Sequence, residues 1–150
     1  MASKSKVYFF FETPFSFSGR KQLKLAVEQV FQKEKIPISS LNYIFCTDMH
    51  LLEINRQYLK HDYYTDIITF DLSGKNEPVI GEVYISVDRV RENAKALGIP
   101  LSNELYRVVF HGALHLCGYN DKTKRQTTIM RERENHYITL LTKDLFHVKN

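Results

Sequence analysis

The sequence predicts a single α+β domain: a mixed sheet of about four strands covered by helices. Three observations predict it. β-prone runs alternate with amphipathic helical runs along the chain. No internal repeat, low-complexity tract or Pro/Ser linker divides it. Its 150 residues suit one core better than two. Residues 1–150 are therefore read as one domain.

Val7 to Phe11 is all β-prone and forms the first strand. After Ser18-Gly19, residues Leu23, Ala26, Val27, Val30 and Phe31 share one helical face, with Lys21, Lys24, Glu28 and Gln32 outside. Leu41 to Thr47 alternates as a strand, and Asp48 caps a short helix carrying Leu51, Leu52, Ile54 and Asn55. Asp66 to Asp71 reads as a buried strand, Ser73 to Asn76 as a turn, and Val79 to Ser86 as another strand. Val87 to Leu97 is a helix stopped by Gly98 and Pro100. Ser102 caps a strongly apolar helix that runs through Cys117 and stops at Gly118. A last helix starts between Lys122 and Arg125 and reaches about Asp144.

Composition excludes several classes. With 43% hydrophobic and 25% charged residues, wholesale disorder is excluded. No apolar run approaches the ~18 residues of a membrane span. Val7 to Phe11 is too short for a signal-peptide core, and the polar, basic start from Met1 to Lys6 does not extend it. Cys46 and Cys117, without a CxxC, fit a reducing compartment. A cytoplasmic protein with no membrane partner is expected. The net charge of +4 permits a polyanionic partner without demanding one.

The chemistry is concentrated in His111-Gly-Ala-Leu-His115-Leu-Cys-Gly118-Tyr-Asn-Asp121. At about 100° per residue, His111 and His115 lie on one helix face, one turn apart. That spacing alone is common on ordinary helices. Asp121 would point away from the pair on a continuing helix, so a bend is required, and Gly118 is where a left-handed residue can make it. Two imidazoles and a carboxylate suit one Zn²⁺ per chain with a position left for water, which is a hydrolytic arrangement. The spacing also matches the long zinc signature of metzincin peptidases. In those enzymes, however, a Glu general base follows the first His. Gly112 stands there and cannot take a proton, which disfavours a zinc metallopeptidase.

The run His111 to Asp121 resembles the HGxLHLxGYDH signature of the YbeY family of rRNA maturation factors and single-strand-specific endoribonucleases. The resemblance extends from about Leu41 to Tyr137. Asn55 to Phe70 is similar to N-x-x-Y-R-x-x-D-x-x-T-D-V-L-S-F, Gly81 to Ser86 to G-D-I-x-I-S, and Met130 with Glu134 to M-x-x-x-E. The resemblance implies an α+β fold with zinc at the mouth of a cleft. It implies RNA hydrolysis tied to the 3′ end of small-subunit rRNA and to ribosome quality control. Single-stranded RNA and the small ribosomal subunit are the expected partners; DNA is not.

Four positions depart from the pattern. Asp121 stands for a third His, Asn120 for Asp, Glu82 for Asp, and Leu59 for a basic residue associated with catalysis or phosphate contact. Lys60 and His61 are the candidates to stand in for that residue and are named as catalytic. His61, Tyr63 and Tyr64 could also stack an unpaired base, although a solvated turn leading into the next strand is the more ordinary explanation. Thr65 and Asp66 match the cleft-lining T-D. Lys122, Lys124, Arg125, Arg131 and Arg133 flank the metal loop as a phosphate-tracking rim or an ordinary solvated face. Tyr119 is a candidate general acid. His50, His136 and His147 lack partners at ligand spacing and are expected at the surface, while Cys117 and Cys46 are expected as small buried residues. A non-catalytic assembly factor, its loop merely pinned by metal, is the remaining alternative.

Overall fold

The computed structural model describes residues 5–149, with side chains described up to Lys143. Most of the basic start (1–4) and His147 therefore lie outside the described residues or side chains. Strands β1 (Val7–Phe11), β2 (Ile38–Cys46), β3 (Ile67–Asp71) and β4 (Val79–Ser86) alternate with helices α1 (Arg20–Glu34), α2 (Asp48–Tyr58), α3 (Val87–Leu97), α4 (Leu101–Leu116) and α5 (Lys124–Lys149). The sheet order is β1-β2-β4-β3. β1, β2 and β4 are parallel, and β3 runs antiparallel to β4 at the edge. The expected mixed four-stranded α+β architecture is what forms.

Several boundaries differ for local reasons. The Thr47 side chain, not Asp48, caps α2 by accepting from the His50 N–H at 3.1 Å. Asp48 is freed to pair with Arg89 at 3.0 Å and to accept from Ser86. α4 starts after Pro100 without a side-chain cap, so Ser102 sits inside its first turn. Proline presets the chain at a helix start, where its missing N–H costs nothing. β3 is an edge strand in which Ile68 alone is fully buried, so a buried strand was the wrong reading. α5 opens with a reciprocal cap: Thr123 Oγ1 accepts from Gln126 N–H, and Gln126 Oε1 accepts from Thr123 N–H, each at 3.1 Å.

Burial alternates along the two central strands. Leu41, Tyr43 and Phe45 of β2 and Val79, Gly81, Val83 and Ile85 of β4 face one core, under α1, α3, α4 and α5. α4 is apolar on nearly all sides and lies at the centre of this layer. Buried Tyr43 fixes its height by donating its hydroxyl to the Val109 carbonyl at 2.8 Å. Two glycines permit the close approach. A Cβ on Gly81 would meet Leu116 Cδ1 at 2.7 Å, and one on Gly112 would meet Val83 Cγ1 at 2.9 Å.

One carboxylate joins α1 to the α4–α5 connection. Glu34 accepts from Tyr119 (2.7 Å), Tyr137 (2.6 Å) and Arg133 (2.7 Å). Burial opposes its ionisation, but the hydrogen bonds from Tyr137, Tyr119 and Arg133 outweigh it and hold the carboxyl below its ordinary value. A depressed folded-state value contributes stability above the unfolded pKa, and that stability is lost as pH falls through the folded one. Glu34→Gln should therefore destabilise the protein at pH 7 by about 1–3 kcal/mol. The gap should narrow as pH falls below the ordinary value of 4.5. Denaturant unfolding of both proteins across that range checks this; a gap independent of pH would contradict it.

Candidate metal cleft

Helical periodicity places Arg107, His111 and His115 on one stripe of α4. The stripe forms one wall of a cleft of about 660 Å³. The β3 edge, the Leu59–Tyr63 segment and α5 supply the other walls. His111 and His115 meet edge to face with ring centroids 4.6 Å apart.

The chain then turns back. Cys117 ends α4, and Gly118 adopts φ 106°, a left-handed conformation open to glycine. Tyr119 is pinned by its hydroxyl to Glu34, and Thr127 Oγ1 donates to the Asp121 carbonyl at 3.1 Å. Held at both ends, the loop returns Asp121 to the histidines. Its carboxylate oxygens lie 3.3 Å from His111 Nε2 and 3.6 Å from His115 Nε2. One donor atom from each of the three residues lies within 4.8 Å of the others.

A second carboxylate orients the first histidine. Glu134, buried on α5, contacts His111 Nδ1 through Oε2 at 2.6 Å. In the tautomer in which Nδ1 donates to Glu134, Nε2 is left to face Asp121 and a metal ion. Burial, followed by the neighbouring His111, holds His115 below the ordinary histidine range. That favours the neutral imidazole that metals require. Glu134 Oε1 has no hydrogen-bond partner. The donor set, its orienting carboxylate and the local charge all fit a divalent cation. Among the lining residues, Asp66, Asp71, Asp121 and Glu134 outnumber Arg107 and Arg131.

Arg107 is the cleft residue the sequence reading missed, although it stands one helical turn before His111. Its guanidinium donates to buried Glu104 at 2.9 Å and to Asp66 at 3.2 Å, and lies 3.9 Å from Glu134. Burial disfavours its charge, but Glu104, Asp66 and Glu134 more than compensate and raise its pKa. Leu59, His61, Tyr63, Thr65 and Asp66 also line the cleft. His61 stacks on Tyr63 at 5.1 Å and shares a 3.0 Å hydrogen bond with its hydroxyl. Lys60, in a left-handed conformation at φ 55°, is exposed and outside the lining, as is Tyr64. Tyr119 is committed to Glu34 and does not line the cleft, so it is not placed as a general acid. Of the basic run, Arg131 reaches the cleft, whereas Arg133 turns to Glu34.

The remaining histidines and cysteines divide. His136 is exposed, as expected, and Cys117 is half-buried. His50 is not without partners: Glu12 Oε1 lies 2.7 Å from its Nδ1, and with Cys46 they form a second group able to hold a metal ion. Glu12 and His50 come from different elements, which sequence spacing does not reveal. No described helix is long and apolar enough to cross a membrane.

Fold and site together define an α+β domain with a candidate metal cleft beside an edge strand. The family model for endoribonuclease YbeY matches residues 13–142, and the chain belongs to that family. Endoribonuclease YbeY of Cytophaga hutchinsonii is 43% identical over 139 residues, covering 91% of this chain and 97% of that protein. The Flavobacterium psychrophilum protein of the same name is 47% identical over 123 residues, covering 82% and 84%. A solution structure of a Thermotoga maritima protein superposes with a TM-score of 0.66 at 27% identity, covering 94% of this chain and 92% of that one.

Proposed function

We propose that this protein is a metal-dependent endoribonuclease that hydrolyses single-stranded RNA, with one Zn²⁺ held by His111, His115 and Asp121. The convergence of those three donors on the cleft wall, with His111 oriented by Glu134, carries the reading. Family membership supports RNA as the substrate class. Small-subunit rRNA near its 3′ end, met during ribosome biogenesis in the cytoplasm, is the proposed natural substrate.

His111, His115 and Asp121 would hold a divalent ion there, which would supply Lewis-acid chemistry for phosphodiester hydrolysis. The chain's own residues do the rest. Glu134 fixes the ring of His111, and Glu104 and Asp66 hold the Arg107 guanidinium at the cleft wall. Arg107 thereby offers a phosphate contact where Leu59 cannot. His61 and Tyr63 present a stacked pair of rings to an unpaired base. A peptidase is disfavoured on packing as well as chemistry. The position where a peptidase carries its base is Gly112, whose added Cβ would collide with Val83.

The test uses the full chain with single-stranded and duplex RNA, with metal content measured in parallel. Wild type should cleave the single strand preferentially. His111→Ala/His115→Ala should lose one equivalent of metal and the cleavage. Cleavage and metal both untouched by the double substitution would overturn the reading.

Among the cleft cations, Arg107→Lys should lower kcat by about tenfold or more, in line with losing a fixed donor to a developing charge. Lys60→Ala should stay within about twofold of wild type if phosphate contact comes from the cleft wall. Single-turnover kinetics on one RNA checks both. The reverse order of effects would return the role to Lys60.

A further inference from the structure

We propose that Glu12, Cys46 and His50 form a second metal site, suited to a thiophilic divalent ion such as zinc, at the carboxyl end of the parallel β1–β2 pair. None of the three lines the cleft. The proposal stands apart from the nuclease reading and does not depend on it.

Backbone geometry brings the residues together. Glu12 follows β1 directly, and its N–H donates to the Phe45 carbonyl at 2.9 Å, which extends the strand pairing by one residue. Cys46 is the last residue of β2. Thr47 caps α2 through the His50 N–H, which places the imidazole in the first turn. Three separate segments thus deliver three donors of different kinds, with one atom of each within 4.8 Å of the others. Zinc bonds of roughly 2.0–2.3 Å require donors about 3.5 Å apart, so closure by about an ångström completes the set. His50 and Glu12 already touch at 2.7 Å, and His50 is braced edge-on by Tyr84 at 6.4 Å.

The chemistry and the charge agree. Thiolate, imidazole and carboxylate together form a donor set that selects zinc over magnesium or calcium. The Cys46 thiol is fully buried and makes one long contact, 3.6 Å, to the Ile85 carbonyl. Glu12, Asp88 and Asp48 lie near the thiol and give the pocket a negative potential that attracts a cation. Of them, Asp48 is paired with Arg89, while Glu12 is partly exposed and faces His50. An ion here would tie the ends of β1 and β2 to the start of α2.

Cobalt(II) is the probe, because a thiolate ligand gives an intense near-ultraviolet charge-transfer band that histidine and carboxylate ligands do not. The His111/His115/Asp121 cluster contains no sulfur and is silent in that band. Full-length protein titrated with Co²⁺ under reducing conditions should develop the band. Cys46→Ser should abolish it, and Cys117→Ser should keep it. His50→Ala and Glu12→Gln, at partly exposed positions that the core does not need, should each weaken Co²⁺ binding at the band about tenfold or more. Absence of the band in folded wild type would overturn the proposal. So would a band that survives Cys46→Ser, or one indifferent to both His50→Ala and Glu12→Gln. Any of these would leave an ordinary Glu12–His50 contact above a buried thiol.

Discussion

A buried carboxylate decides which way His111 faces. Glu134 is almost fully enclosed, and its Oε2 meets His111 Nδ1 at 2.6 Å. An enclosed carboxylate without such a partner would be costly, so the contact constrains both groups. It ties α5 to α4 at the cleft and directs Nε2 outward. It also draws two guanidiniums, since Arg131 and Arg107 approach the other oxygen at 3.4 and 3.9 Å. Even with both arginines, four acids line the cleft, and a surplus of acid is what a cation offsets.

The stripe that carries His111 sits where it does because α4 lies close to the sheet. Gly112 against Val83 and Gly81 against Leu116 leave no room for a side chain, and the Tyr43 hydroxyl fixes the helix against β2. A larger residue at Gly112, against the stiff Val83 side chain, would push α4 and its stripe of Arg107, His111 and His115 away from the sheet. At the far end, Glu34 holds Tyr119 so that the turn at Gly118 closes back onto the histidines. Packing and chemistry are thus set by the same few contacts, and a peptidase-like base at Gly112 conflicts with both.

How legible each part was in the sequence depended on the range of the signal. The histidine pair and the Gly118 bend are local, and Asp121 falls where their spacing puts it. Arg107 obeys the same period but sits inside an apolar helix whose pattern reads as core. Thr47 and Pro100 took the caps from Asp48 and Ser102 because cap identity turns on backbone angles one residue either way. Lys60 and His61 look equivalent as neighbours and both are exposed, yet with a left-handed backbone at Lys60 only His61 lines the cleft. In the Glu12–Cys46–His50 group, Cys46 and His50 are four residues apart, but Glu12 joins them only through the pairing of β1 with β2, a register that no short window encodes.

The proposed role of Glu134 is to present His111 to a metal ion. Its most direct test is the zinc affinity of Glu134→Gln against the Glu134 form. Both should carry Cys46→Ser, so that the second cluster does not contribute, and chelator competition gives the readout. Loss of an orienting carboxylate typically costs about 10–100-fold in affinity, and that loss is the predicted result. Equal affinity in two folded proteins would contradict the account.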